Sequence, residues 1–170
     1  MRGHLARAAR KVCLVLALLG LTLSVAVPPA AADDRQTVVL PLSGTFRSFS
    51  SEPIDVTGSV RVRVVTETAP GGGGTARVTS TLLRTTGIGQ VSGGLYRFVG
   101  SDTNVAAWPP DPITPLTFHP RFYNIYPPDP IIPTVPPHPI RPVIVDVTLT
   151  PDGTITNIGA MVDPGSVDNP

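Results

Sequence analysis

The chain has 170 residues, 21 prolines, a single cysteine and a formal charge of +1. Its only lysine and three arginines, Arg2, Arg7, Arg10 and Lys11, all precede an apolar run, Val12–Val27, and Ala30-Ala31-Ala32 stands just before Asp33-Asp34. Without residues 1–32 the chain keeps 138 residues, nine arginines, no lysine, no cysteine and a charge of −3, which excludes a disulfide framework and argues against a nucleic-acid partner.

The order charged, apolar, small-residue site is that of a secretory signal peptide, and we expect residues 1–32 to be one, with a signal helix. The apolar run falls short of the roughly 20 residues a spanning helix needs, and Pro28-Pro29 ends it. The expected location is therefore secreted, whether extracellular, periplasmic or cell-wall associated, with no membrane span after cleavage. Cys13 leaves with the signal. A chain of that length still supports one core without staples. Arginine without lysine points to a bacterial genome of high GC content.

From residue 33 onward, alternation with period two dominates. Val38, Leu40, Leu42, Gly44 and Phe46 share one parity, and Pro41 confines that strand to an edge or a bulge. Val60, Val62 and Val64 alternate with Arg61 and Arg63, and Ala76, Val78, Ser80 and Leu82 alternate with Arg77, Thr79 and Thr81. Residues 57–68 and 75–83 read as a hairpin around Ala69–Gly74, with Val62 opposite Leu82 and Glu67 opposite Arg77 in an ion pair. Thr85–Val91 and Leu95–Gly100 flank Ser92-Gly93-Gly94 as a second hairpin. In it Tyr96 and Phe98 face one side; Leu95, Arg97 and Val99 face the other.

Residues 108–142 hold 13 of the prolines. Proline donates no ladder bond, so a central strand is not expected there. Leu116–Ile125 reads as one edge strand broken by Pro120. Trp108–Pro115 and Pro127–Pro142 read as extended loops. Val143–Leu149 resumes alternation, Pro151-Asp152-Gly153 is a turn, and Thr154–Ile158 is its partner strand. Residues 163–170 form a polar tail.

Eight or nine strands with no helix after Ala32 give an all-β class. The expected architecture is a single antiparallel β-sandwich over 33–162, with a partly open β-barrel as the alternative and 108–142 as a long Pro-rich excursion. Thr57–Gly100 with Val145–Ile158 resembles a loose family of small secreted bacterial β-proteins of uncharacterised function. The shared pieces are a G-S-V-x-V-x-V strand, a G-x-G-Q-x-S-G-x-x-Y-R segment and the late P-D-G hairpin. The resemblance implies secretion and an all-β fold, and it brings no activity or site residue.

Catalytic signatures are sparse. Gly89-Gln90-Val91-Ser92-Gly93 lacks the strand-turn-helix context of a nucleophile elbow and reads as a hairpin turn. Gly87-x-Gly89 precedes no helix that would bind a pyrophosphate. His119 and His138, with Asp111 and Asp129, are weak metal candidates without an enforcing spacing. Asp55, Asp102, Asp129 and Asp146 are carboxylates that nothing brackets into a pair. Arg61, Arg63, Arg77, Arg84 and Arg97 lie on wet faces, as solvated arginines or as a cluster for an anionic ligand. Trp108, Phe118, Phe122, Tyr123 and Tyr126 are five of the nine aromatics after the signal, and all fall in the Pro-rich region. They are binding candidates or cover for one end of the core.

The leading expectation is a secreted, non-enzymatic β-domain that binds a cell-surface protein or glycan, with no cofactor. The alternatives are a secreted hydrolase using carboxylates or a His-bound metal in the Pro-rich segment, and a structural or accessory protein.

Overall fold

The computed structural model describes residues 34–47, 52–109, 115–125 and 137–165, so the signal segment, Asp111, Tyr126 and Asp129 lie outside the described residues. The described chain is all-β, in ten strands. They are β1 (Arg35–Phe46), β2 (Ile54–Thr68), β3 (Gly74–Gly89), β4 (Leu95–Val99), β5 (Ser101–Trp108), β6 (Leu116–Phe118), β7 (Phe122–Ile125), β8 (His138–Ile140), β9 (Val143–Leu149) and β10 (Ile155–Val162).

All pairings are antiparallel and form two sheets, neither closed into a barrel. The larger runs β1-β2-β3-β4-β7-β8, with β5 also on β3; the smaller runs β10-β9-β6. Strands β4 and β5 lie end to end along one edge of β3. Thr85 pairs Phe98 and Ile88 pairs Leu95 in one half, while Gly74 pairs Trp108 and Thr81 pairs Ser101 in the other. Gly100, at φ +128°, joins them, and its carbonyl accepts the Leu82 N–H at 3.1 Å.

The break falls where β2 and β3 also lose register. Between the pairs Thr57–Thr86 and Ser59–Leu83, the lone Gly58 of β2 opposes Arg84 and Thr85 of β3. Arg84 is the one non-glycine among the described residues at positive φ, +48°. This bulge reverses the phase of β3: Ala76, Val78, Ser80 and Leu82 point inward before it, and Thr85, Gly87 and Gly89 after it. Thr85 secures the corner by donating from Oγ1 to the Ser59 carbonyl at 3.1 Å.

One buried cluster draws on both sheets. Val60, Val62 and Val64 of β2, Val78 of β3, and Val143, Val145 and Val147 of β9 are fully buried. Removing each valine side chain from water stabilises the fold by roughly 1.5–3 kcal/mol. β-branched residues also suit the pleated backbone. Buried Phe98 meets Phe46 edge-on, with centroids 6.4 Å apart.

Several expectations need correction. The β2–β3 register pairs Val62 with Ser80 and Val60 with Leu82, two residues from the expected one. The reason lies in the turn: Gly71, Gly72 and Gly73 take positive φ and close the loop early, so Gly74 already belongs to β3. Glu67 consequently faces Thr75 and Arg77 faces Val65, not each other. Residues 75–83 and 85–91 do not form separate strands, because the bulge bends the chain without ending the ladder. Ser101–Trp108 is a strand with weak apolar alternation, Ser101, Thr103 and Val105 being exposed. Leu116–Ile125 is split between the sheets at Pro120, and β7 is central, lying between β4 and β8. Its four residues, Phe122–Ile125, contain no proline, which is why the ladder tolerates them. His138–Ile140 is a short strand at the sheet edge, the position that Pro139 permits.

Candidate interaction surface

The chemistry-bearing candidates separate in space. Trp108, Phe118 and Phe122 are buried in the core, so their rings face other residues of the chain and not a partner. Tyr123, which alternates with Phe122 on β7, is 45% exposed. His119 Nδ1 lies 3.7 Å from the Asp163 carboxylate, the one contact at salt-bridge distance among the described residues. His138 is exposed, and its Nδ1 lies 3.2 Å from the Pro139 carbonyl. No group of three His, Cys, Asp or Glu side chains with metal-binding geometry occurs among the described residues.

The carboxylates serve separate turns and crossings. Asp146 of β9 accepts the Thr117 hydroxyl at 2.7 Å. Burial pushes the Asp102 carboxyl up, but the Arg121 amide at 2.7 Å, the Asn104 amide at 3.2 Å and the Thr103 N–H at 2.9 Å outweigh it, leaving the group below the ordinary carboxylate range. Asp152 is held low by the Thr150 hydroxyl and the Thr154 N–H in the Pro151–Gly153 turn.

The most heavily braced turn joins β3 to β4. The Glu52 carboxylate accepts from the Ser92 hydroxyl, the Ser92 and Val91 N–H groups at 2.7 Å each, and the Tyr96 hydroxyl at 2.8 Å. The Gln90 N–H donates to the Pro53 carbonyl at 2.9 Å, and the Gln90 side-chain amide to Asp55 at 2.8 Å. Donors gathered on the ionised form depress a carboxyl pKa. Here the Ser92 hydroxyl, the Ser92 amide and Tyr96 hold Glu52 at about 2, against an ordinary 4.5. For such a depressed acid, the stabilising contribution is complete above the unfolded value and is lost as pH falls through the folded one. Protection of the Val91 and Ser92 amides from hydrogen exchange is therefore expected to fall as pH drops from 4.5 toward 2. In Glu52→Gln, protection should be lower and flat over that window. A wild-type protection factor that stays constant there would contradict the role of Glu52.

What this brace presents is apolar. Val91 at the turn tip is 84% exposed, and the next cross-strand pair outward, Ile88 and Leu95, is about half exposed. The registers extend the surface across the outer face of the larger sheet. Arg97 lies between Thr86 and Ile125, and Val99 pairs Tyr123, which pairs Pro139. Val99, Tyr123 and Ile125 are each more than a third exposed. The other half of the same face has a different character. There Thr79 bonds Thr103 at 2.9 Å, Thr81 bonds Ser101 at 2.8 Å, and Arg61, Arg63 and Arg77 point to solvent. Val105 of β5 and Val39 of β1 are also exposed there but stand among polar neighbours, opposite Arg77 and Arg61, whereas contiguous apolar exposure lies at the β3-β4-β7 end.

Of the described aromatics considered from sequence, Tyr123 alone belongs to this surface. Ile88, Leu95, Val99 and Ile125 were missed. Their signal was present in β4, where Leu95 and Val99 are apolar on the face opposite Tyr96 and Phe98. A strand that is apolar on both sides yet pairs within a half-solvated antiparallel sheet must show one of them to water. No protein-family model matches the chain, and no curated protein or solved structure shows a significant similarity to it.

Proposed function

We propose that the protein is a secreted, non-enzymatic bacterial β-sandwich domain that works as a surface-interaction module, through the outer face bearing Ile88, Leu95, Val99, Tyr123 and Ile125. Secretion rests on the order of the N-terminal segment, and the sandwich on a core shared by two antiparallel sheets. The interaction role rests on one observation above all: a turn fixed by five hydrogen bonds to Glu52 and Asp55 holds apolar side chains in solvent. Rigid presentation of an apolar group lowers the ordering cost of association.

The test is binding of the fluorescently labelled protein to the surface of the cells that secrete it, wild type against the double variant Leu95→Asp, Ile125→Asp. Both side chains are already solvent-facing, so the fold should hold. Surface binding is expected to fall at least tenfold, as desolvated apolar anchors carry most interface energy. Equal binding by the two proteins would remove this face from the function.

A further inference from the structure

The same face carries a cation without an ion-pair partner among the described residues, and an anion, placed to meet their counterparts on an identical face. Arg97 sits amid the apolar residues of β4 and β7 and makes no ion pair among the described residues. Asp55, on the outward side of β2, pairs across with Ile88, which pairs Leu95. Asp55 Oδ1 accepts the Thr45 hydroxyl at 2.7 Å and the Gln90 amide at 2.8 Å, whereas Oδ2 accepts nothing from the described residues. Those two donors, Thr45 first, keep the carboxyl below its ordinary pKa and therefore ionised.

The registers fix how the two charges are spaced. Asp55 and Arg97 are two strands apart and one outward-facing row apart. At about 4.8 Å between strands and about 3.4 Å per residue, their Cα atoms are roughly 12 Å apart. Between them on β3 lie Ile88, in the row of Asp55, and Thr86, in the row of Arg97. An isologous interface brings the same patch together from both subunits, so a residue meets its counterpart reciprocally. With the two-fold axis in the plane of this face, passing beside Ile88, Arg97 of each copy stands over Asp55 of the other. The two Ile88 side chains meet near the axis and Leu95 packs beside them.

We propose that the face is a homodimer interface and that its occupant is a second copy of this chain. The inference rests on the interaction reading above and names its partner. Charge complementarity supports a second copy: a carboxylate oxygen and a guanidinium, both without an ion-pair partner among the described residues, flank Ile88, and a two-fold axis beside Ile88 sets each over its opposite. An anionic membrane fits the face less well, because Glu52 and Asp55 stand beside the apolar tip. Opposed charges at an interface also select orientation, since the wrong register brings like charges together.

The experiment is sedimentation of the secreted protein over a concentration series, with two charge-reversed variants measured alone and mixed. Arg97→Asp leaves only acids at the two positions, and Asp55→Arg leaves only arginines. Each alone is expected to dimerise at least tenfold more weakly than wild type, and their equimolar mixture to recover a dimer of near wild-type affinity, because both contacts become opposite-charged again. Thermal unfolding is followed in parallel. If Asp55→Arg does not fold, Asp55→Asn should weaken dimerisation alongside Arg97→Asp. A wild-type protein that stays monomeric into the millimolar range overturns the inference, as does a dimer indifferent to these variants. So does a monomer that instead pellets with anionic vesicles. A monomer whose cell-surface binding is still lost in Leu95→Asp, Ile125→Asp would overturn only the identity of the partner and leave the interaction reading standing.

Discussion

Truncating Phe98 to alanine is expected to cost about 3–5 kcal/mol of stability. That is a large share of the 5–15 kcal/mol typical of a folded domain. The ring is 2% exposed, meets Phe46 edge-on at 6.4 Å, and leans so closely over Gly87 that a Cβ there would lie 2.9 Å from its Cε2. Two effects add: the lost transfer of the ring out of water, and the void left where Phe46 and Gly87 keep their places. Phe98→Leu should fall between alanine and wild type, since it keeps part of the volume and loses the edge-on contact. Chemical denaturation read at the midpoint with an unchanged slope would measure both. A cost under about 1 kcal/mol for alanine would show that the site collapses around the loss.

Gly58→Ala is the second large effect, expected at about 1–3 kcal/mol through overpacking. The cause is not backbone conformation: a Cβ on Gly58 would lie 2.5 Å from Thr85 Oγ1, 2.6 Å from its Cα and 2.8 Å from its Cβ. Because the Cα belongs to the backbone of the bulge, shortening the opposing side chain cannot clear the space. The cost of Gly58→Ala should therefore persist in a Thr85→Ala background, apart from the separate loss of the Thr85 bond to Ser59. Full rescue by Thr85→Ala in a double-mutant cycle would mean the hydroxyl alone is the obstacle.

Where one face of a strand is dry and the other wet, the fold was legible from residues. Val60, Val62 and Val64 against Arg61 and Arg63, and Val143, Val145 and Val147 in β9, lie inside as their alternation requires. Tyr96 and Phe98 do the same, and the Ser92 turn and the Pro151-Asp152-Gly153 turn stand where their glycines put them. Registers were less legible, because a run of four glycines does not announce which of them closes the loop. β5 escaped notice for a different reason: Asp102, Asn104 and Ala106 are only partly buried, so its inward side carries little apolar signal. In the Pro-rich region, proline density made Leu116–Ile125 read as one edge strand, whereas its proline-free end, Phe122–Ile125, is long enough for a central one. The exposed apolar face was hardest to foresee. Aromatic content drew attention to Trp108, Phe118 and Phe122, which large rings bury, while the exposed groups are the aliphatic Ile88, Leu95, Val99 and Ile125 on the strand faces turned from the core.

Beyond its passage from β5 to β6, the chain passes between the two sheets twice more, through links of two or three residues. It leaves β6 of the smaller sheet through His119-Pro120-Arg121 to enter β7 of the larger, and returns from β8 through Arg141-Pro142 to β9. Each crossing is fastened: the Arg121 N–H to Asp102 at 2.7 Å, the Asp163 N–H to the Pro142 carbonyl at 2.9 Å. Strands β6 and β9, which pair with each other, are thus separated in sequence by two strands of the opposite sheet. Neither sheet can be cut out of the gene as an uninterrupted stretch, and neither can complete its ladders before the other has begun. The two layers are therefore expected to form and to melt as one cooperative unit.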